Sequence, residues 1–215
     1  MSYIEFFFRY FHVLAGIVWI GMLYYFNFVQ TEYFKEAEAS AKSDAMAKLA
    51  PRALWWFRWG AMGTFLTGVI MLYTIPTAVN NYIYIGSLFG TLMFLNVWLI
   101  IWPNQRIVIA SNQAVAAGGE ADPAAAAAAP KAALASRTNT LFSIPMLYFM
   151  GSSAHFAING SISANTTALG IALAIIAAIE INAIVGKLGV LTTIRGVITS
   201  GFVLTVVMAG ILYYL

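Results

Sequence analysis

The sequence predicts an all-α fold, a polytopic bundle of about six transmembrane helices with both termini on the outer face. Three observations predict it. The 215 residues are 61% hydrophobic and only 9% charged, with a mean hydropathy of +0.82. Soluble domains are roughly a quarter charged, so lipid is the solvent that suits this much apolar surface. The apolar residues fall into runs close to the roughly 20 residues that a helix needs to cross the hydrocarbon core. The basic residues fall into alternate connections, the pattern that orients membrane proteins. The length fits a single membrane domain, residues 1–215.

The first span is read over residues 4–29. Glu5 and Arg9 flank its aromatic start, and its apolar run is too long for a signal-peptide core. Residues 31–48 are expected to extend this helix into the cytoplasm, because Glu38 and Lys42, and Asp44 and Lys48, stand at the favourable four-residue spacing. The second span is read over 53–75, with Pro51 in its first turn and Pro76 as its stop. The third runs over 82–102 and is expected to stop at Pro103, while Gly86 and Gly90 form a small-xxx-small pair suited to close helix contact. Residues 114–135 are Ala-rich and contain Gly118, Gly119, Pro123 and Pro130, which reads as a mobile cytoplasmic linker. The fourth span covers 140–158, with a kink expected at Pro145. The fifth covers 167–185 and the sixth 194–215.

The connections at 76–82 and 159–166 carry no charge. Those at 30–52, 103–139 and 186–195 hold or border Lys35, Lys42, Lys48, Arg52, Arg106, Lys131, Arg137, Lys187 and Arg195, which places them in the cytoplasm. The net charge of +3 is small, and no nucleic acid partner is expected. Cysteine is absent, which excludes disulfides, thiolate metal sites and a covalently attached c-type haem.

An ionisable group inside a span is costly and usually has a partner or a task. Five qualify: Arg9, His12, Arg58, His155 and Glu180. His12 lies about two turns into the first span, roughly 10–12 Å at 1.5 Å per residue, and His155 lies about one turn from the outer end of the fourth. The chain's two histidines thus share the outer leaflet on different helices. Two neutral imidazoles so placed suit the axial positions of a b-type haem. Gly16 and Gly151, each one turn away, would admit a porphyrin edge, and Arg9 would face a propionate. Trp19, on the face of His12, would pack on the cofactor or in the core. The competing reading is two histidines that hydrogen-bond to neighbouring helices, and the sequence leaves both open.

A second polar layer, Arg58, Asn96 and Glu180, lies toward the cytoplasmic side. It reads as an Arg58–Glu180 ion pair that fixes helix register, or as a proton or quinone site. Trp55, Trp56, Trp59, Trp98 and Trp102 read as an aromatic belt. No histidine is left beside a carboxylate to activate a serine, and no phosphate-binding loop occurs, so no catalytic residue is assigned.

The stretch His12-Val-Leu-Ala-Gly-Ile-Val-Trp-Ile-Gly21, with Tyr24-Tyr-Phe-Asn-Phe28 after it, resembles the first span of the bacterial membrane-bound urate hydroxylase family. Trp55-Trp-Phe-Arg-Trp59, Asn96-Val-Trp98, Trp102-Pro-Asn-Gln105, Ser136-Arg-Thr-Asn-Thr140, Ser143-Ile-Pro-Met-Leu147 and Ser152-Ser-Ala-His155 continue the resemblance in order. The first span alone is also similar to haem-binding membrane proteins of the protoporphyrinogen oxidase type. The urate hydroxylase resemblance implies a bacterial inner-membrane oxidoreductase whose full-length members join a helical domain to a cytochrome c domain and oxidise urate to 5-hydroxyisourate. This chain has no Cys-x-x-Cys-His motif, and its spans are fewer than the family domain's. Three expectations follow: a haem b protein that moves electrons near the outer face; a urate hydroxylase that uses a separate cytochrome c or other redox partner; or a cofactor-free accessory or scaffold subunit. Lipid is expected around the chain, and a homo-oligomer or larger complex is the expected assembly.

Overall fold

A computed structural model describes residues 3–74, 79–157 and 166–215, and among them the chain is helical with no strand. Six long helices follow one another: α1 (Tyr3–Glu36), α2 (residues 39–74), α3 (Asn81–Ala116), α4 (Ala124–His155), α5 (Thr166–Val185) and α6 (Ile194–Tyr214). A 3₁₀ turn at Gly189–Thr192 joins the last two. Four of them, α1, α3, α5 and α6, are long and apolar enough to cross a membrane. The stop expected at Pro76, and residues 158–165 at the end of the fourth expected span and in the uncharged connection after it, lie outside the described residues.

Side-chain caps start two helices. Asn80 accepts from the Ile83 N–H at 3.0 Å ahead of α3, and Thr193 accepts from the Gly196 N–H at 3.0 Å ahead of α6. The end of α3 is a Schellman turn: Gly118 at φ +85° lets the Gly119 N–H reach Ala114 O and the Gly118 N–H reach Val115 O.

Two sequence expectations about helix ends fail. Pro103 does not stop α3. The six residues before Trp102, Asn96–Ile101, are π-wound, and the wider turn lets the helix run on through a residue with no N–H. Pro51 stands in the first turn of the α-wound stretch Ala50–Thr74, as expected, and a π turn at Ala45–Leu49 joins that stretch to residues 39–44. The extension of α1 ends at Glu36, not near 48, because Ala37 and Glu38 take extended backbone and the chain turns back. Asp44 pairs with Lys48 as expected, whereas Lys42 lies over the Phe34 ring and forms no ion pair with Glu38 among the described residues.

Residues 124–135, expected as a mobile linker, are the first turns of α4. Ala128, Ala132 and Ala135 are buried at helical spacing, so the alanines form a packing face, and Pro130 falls on an exposed position near the helix start.

α4 is the central element. It packs on α3 most extensively, then on α6, and also on α5 and α1, while α1 packs mainly along α2. Close backbone approach makes both main contacts. A Cβ on Gly60 of α2 would stand 3.0 Å from Trp19 N, and one on Gly86 of α3 would stand 2.8 Å from Met150 Cγ, which bears out the close contact expected at Gly86. Trp19, Leu23, Phe57, Phe89, Met93, Phe142 and Phe149 form the core, with the Phe89 and Phe142 rings 4.9 Å apart.

Candidate functional site

The polar residues collect around one stretch of α4. From Arg137 to Ser143 every residue is buried, so this part of the helix has other helices, not lipid, as its surroundings. Each polar side chain needs a partner there, because an unpaired buried donor or acceptor costs about 1–3 kcal/mol.

Two π turns supply many of those partners. In the Tyr25–Gln30 turn of α1, Asn27 donates to Leu23 O at 2.9 Å and to Ser136 Oγ at 2.8 Å. One turn up, Tyr24 meets Ser143 Oγ at 2.9 Å; since Ser143 donates its own hydrogen to Thr140 O at 2.7 Å, the tyrosine is the donor. In the Asn96–Ile101 turn of α3, Asn96 donates to Asn139 Oδ1 at 3.0 Å and to Glu180 Oε2 at 3.2 Å. Asn139 in turn donates to Met93 O at 2.9 Å. Thr138 and Thr140 bond back to Leu134 O and Ser136 O within α4.

The Arg58–Glu180 ion pair does not form. Arg58 sets its guanidinium carbon 3.3 Å from the ring centroid of Trp102, a cation–π contact between α2 and α3, and Glu180 takes Asn96. The geometry follows from α3's two faces: Trp98 and Trp102 turn toward α2, and Asn96 turns toward α4 and α5. Trp98 and Trp102 are therefore partly buried members of the bundle, while Trp55, Trp56 and Trp59 are exposed, as a belt requires. Arg58 is buried, and its Nη1 has no hydrogen-bond partner among the described residues. The same holds for Arg137, which the sequence reading placed among loop charges; Glu32 of α1 is close enough for its charge to act on Arg137.

The histidines lie at the opposite end. His12 turns toward α2, where Nδ1 is 3.1 Å from Thr67 Oγ1 and the ring rests against Gly68. Gly16 faces the same helix, since a Cβ there would be 4.0 Å from Thr64, so it serves the α1–α2 contact. Trp19 is core, with Nε1 unpaired among the described residues. Arg9 and His155 are exposed, and a Cβ on Gly151 would meet nothing within 4 Å. An open cavity of about 330 Å³ lies near this end of α4, lined by Tyr82, Tyr148, Phe156, Thr205 and Tyr213 among others; neither histidine lines it.

The sequence reading missed Thr67, Asn27, Asn139 and Arg137 as site residues. A signal was present: the run Ser136, Thr138, Asn139, Thr140 and Ser143 is too polar for a lipid-facing helix and demands partners.

The sequence model of the family described as urate oxidase N-terminal matches residues 75–210, more than half of the chain. The match takes in α3 to α6, with Asn96, the buried stretch of α4, His155 and Glu180, and begins after His12 and Arg58. No curated protein matches the chain, and no solved structure does.

Proposed function

The chain belongs to the urate oxidase N-terminal family, and from that premise we propose that it is a membrane b-type haem protein that moves electrons near the outer face, with His12 and His155 as axial ligands. Haem held this way carries one electron as its iron cycles between ferric and ferrous.

One observation carries the assignment of the two ligands. The Tyr24–Ser143 hydrogen bond ties α1 to α4, and the Asn27–Ser136 bond shows that the two helices run antiparallel. His12 stands twelve residues before Tyr24, and His155 twelve residues after Ser143. These equal offsets support a placement of the two at one level of the bundle. The donor set suits the group: two imidazoles, of which His12 has Nδ1 beside Thr67, and His155 is exposed. The open space at Gly151 would receive a macrocycle edge, and exposed Arg9, one turn above His12, would pair with a propionate.

The test is the reduced-minus-oxidised absorption spectrum of the purified protein. The expected result is a low-spin b-type signal that disappears in the His12→Ala, His155→Ala double variant. A haem-free protein from haem-sufficient cells would end this reading.

A second reading, urate hydroxylation with a separate cytochrome c as acceptor, is favoured by the family match over α3 to α6. It predicts urate loss in membranes that contain the protein and added cytochrome c. Turnover no greater than in empty membranes removes it. A haem-free protein that copurifies in fixed ratio with other membrane subunits would instead point to a scaffold.

A further inference from the structure

We infer that Thr67 is a positioning residue for His12: it holds the imidazole as the tautomer protonated at Nδ1 and leaves the Nε2 lone pair as a ready ligand. The tautomer does not depend on the haem reading; only the identity of what Nε2 meets rests on it.

The Thr67 hydroxyl has one hydrogen. Its shortest contact, 2.6 Å, is to Gly63 O, and a second is Thr64 O at 3.1 Å; both are carbonyls that can only accept. His12 Nδ1 lies 3.1 Å from the same hydroxyl oxygen. With its hydrogen directed into the backbone of α2, that oxygen meets Nδ1 as an acceptor, so the ring proton is on Nδ1. The Thr64 backbone is also within hydrogen-bonding reach of the ring, and its carbonyl can only accept; Nε2 then carries the lone pair.

The seat for the ring is built from α2 as well. A Cβ on Gly68 would lie 3.1 Å from His12 Cε1 and 3.4 Å from Nδ1, so the edge of the imidazole occupies space that a side chain would take. Thr67 and Gly68 thus set the proton and the position of His12 together. A ligating histidine needs this arrangement: one ring nitrogen donating to a fixed acceptor, the other unprotonated.

The chain has two histidines, so nitrogen-15 histidine labelling yields two ring systems, and His155→Gln identifies the one from His12. In the full chain, purified from haem-deficient cells into micelles, His12 is expected to show protonated Nδ1 and bare Nε2. Thr67→Val should move it toward the Nε2-protonated form, and Thr67→Ser should restore the original signature. A wild-type His12 protonated at Nε2, or a Thr67→Val spectrum identical to wild type, overturns the inference whatever haem does. Where haem copurifies, Thr67→Val should raise its midpoint potential and Thr67→Ser should not, because an imidazole that loses its N–H acceptor gives less electron density to ferric iron. An unchanged potential also counts against the positioning role. The expected tautomer in a protein that never takes up haem supports the inference and defeats only the haem reading.

Discussion

The two ends of the α1–α4 pair handle polarity in opposite ways. At the Tyr24–Ser143 end, amides and hydroxyls of α1, α3 and α5 close on one another around α4, and nearly every bond is between neutral groups. At the other end, His12 is held by α2 through Thr67, and His155 is exposed. The first arrangement is what structure requires of buried polar groups. The second leaves imidazole nitrogen available for the ligand role proposed above. Charge is not what organises either end: the buried Arg58 leans on an indole, and the carboxylate of Glu180 answers to an amide.

The largest test of this contrast removes the hub. Asn139→Leu removes the bond to Asn96 on one side and the side-chain donor to Met93 O on the other; Asn96 keeps Glu180 and Met93 O keeps the Asn96 N–H, so each lost bond costs about 0.5–1.5 kcal/mol. Unfolding in mixed micelles should show that loss, whereas His155→Leu should stay within about 0.5 kcal/mol of wild type while abolishing haem. Equal effects at the two ends would erase the distinction. Next in size are the glycines. Gly60→Ala and Gly86→Ala push a Cβ into Trp19 N and Met150 and should cost about 1–3 kcal/mol by overpacking; Gly151→Ala, with nothing within 4 Å, should leave stability unchanged.

Smaller still is the Arg58 contact. Trp102→Leu should cost about 0.5–2 kcal/mol, and a double-mutant cycle between Arg58 and Glu180 should show no coupling beyond about 0.3–0.5 kcal/mol, while Asn96 and Glu180 couple clearly. Coupling between Arg58 and Glu180 would restore the ion pair expected from the sequence. Smallest is Lys48→Ala, which breaks the exposed pair with Asp44 and should change stability by less than about 1 kcal/mol.

Six helices were legible because the period and length of apolar runs are local properties, and the segments read for them overlap the helices found. Their ends were less so. Proline was read as a stop at Pro103, but whether a helix survives proline depends on the winding of the preceding turn, and nothing in Asn96–Ile101 announces a π turn. The alanine tract misled through composition: low complexity suggested a linker, while Ala128, Ala132 and Ala135 already stood at packing intervals. At the site, depth could be read and direction could not. Arg58 and Glu180 were matched by height, but they face different neighbours, a fact of helix rotation that only packing determines. Thr67, the partner of His12, was not legible because a threonine in an apolar run has many uses.

The helices that qualify to cross a membrane on their own, α1, α3, α5 and α6, have a bearing on biogenesis. During synthesis α1 emerges just ahead of α2, and α3 just ahead of α4; these two pairs are also the most extensive contacts in the fold. Each less qualified helix thus follows in sequence the apolar helix it packs against, an order that would suit entry into a bilayer as two hairpins followed by two further spans. Gly60 and Gly86, at those hairpin contacts, would then matter to insertion yield as well as to final stability, and pulse-labelled integration of nascent chains truncated after α2 or α4 would measure it.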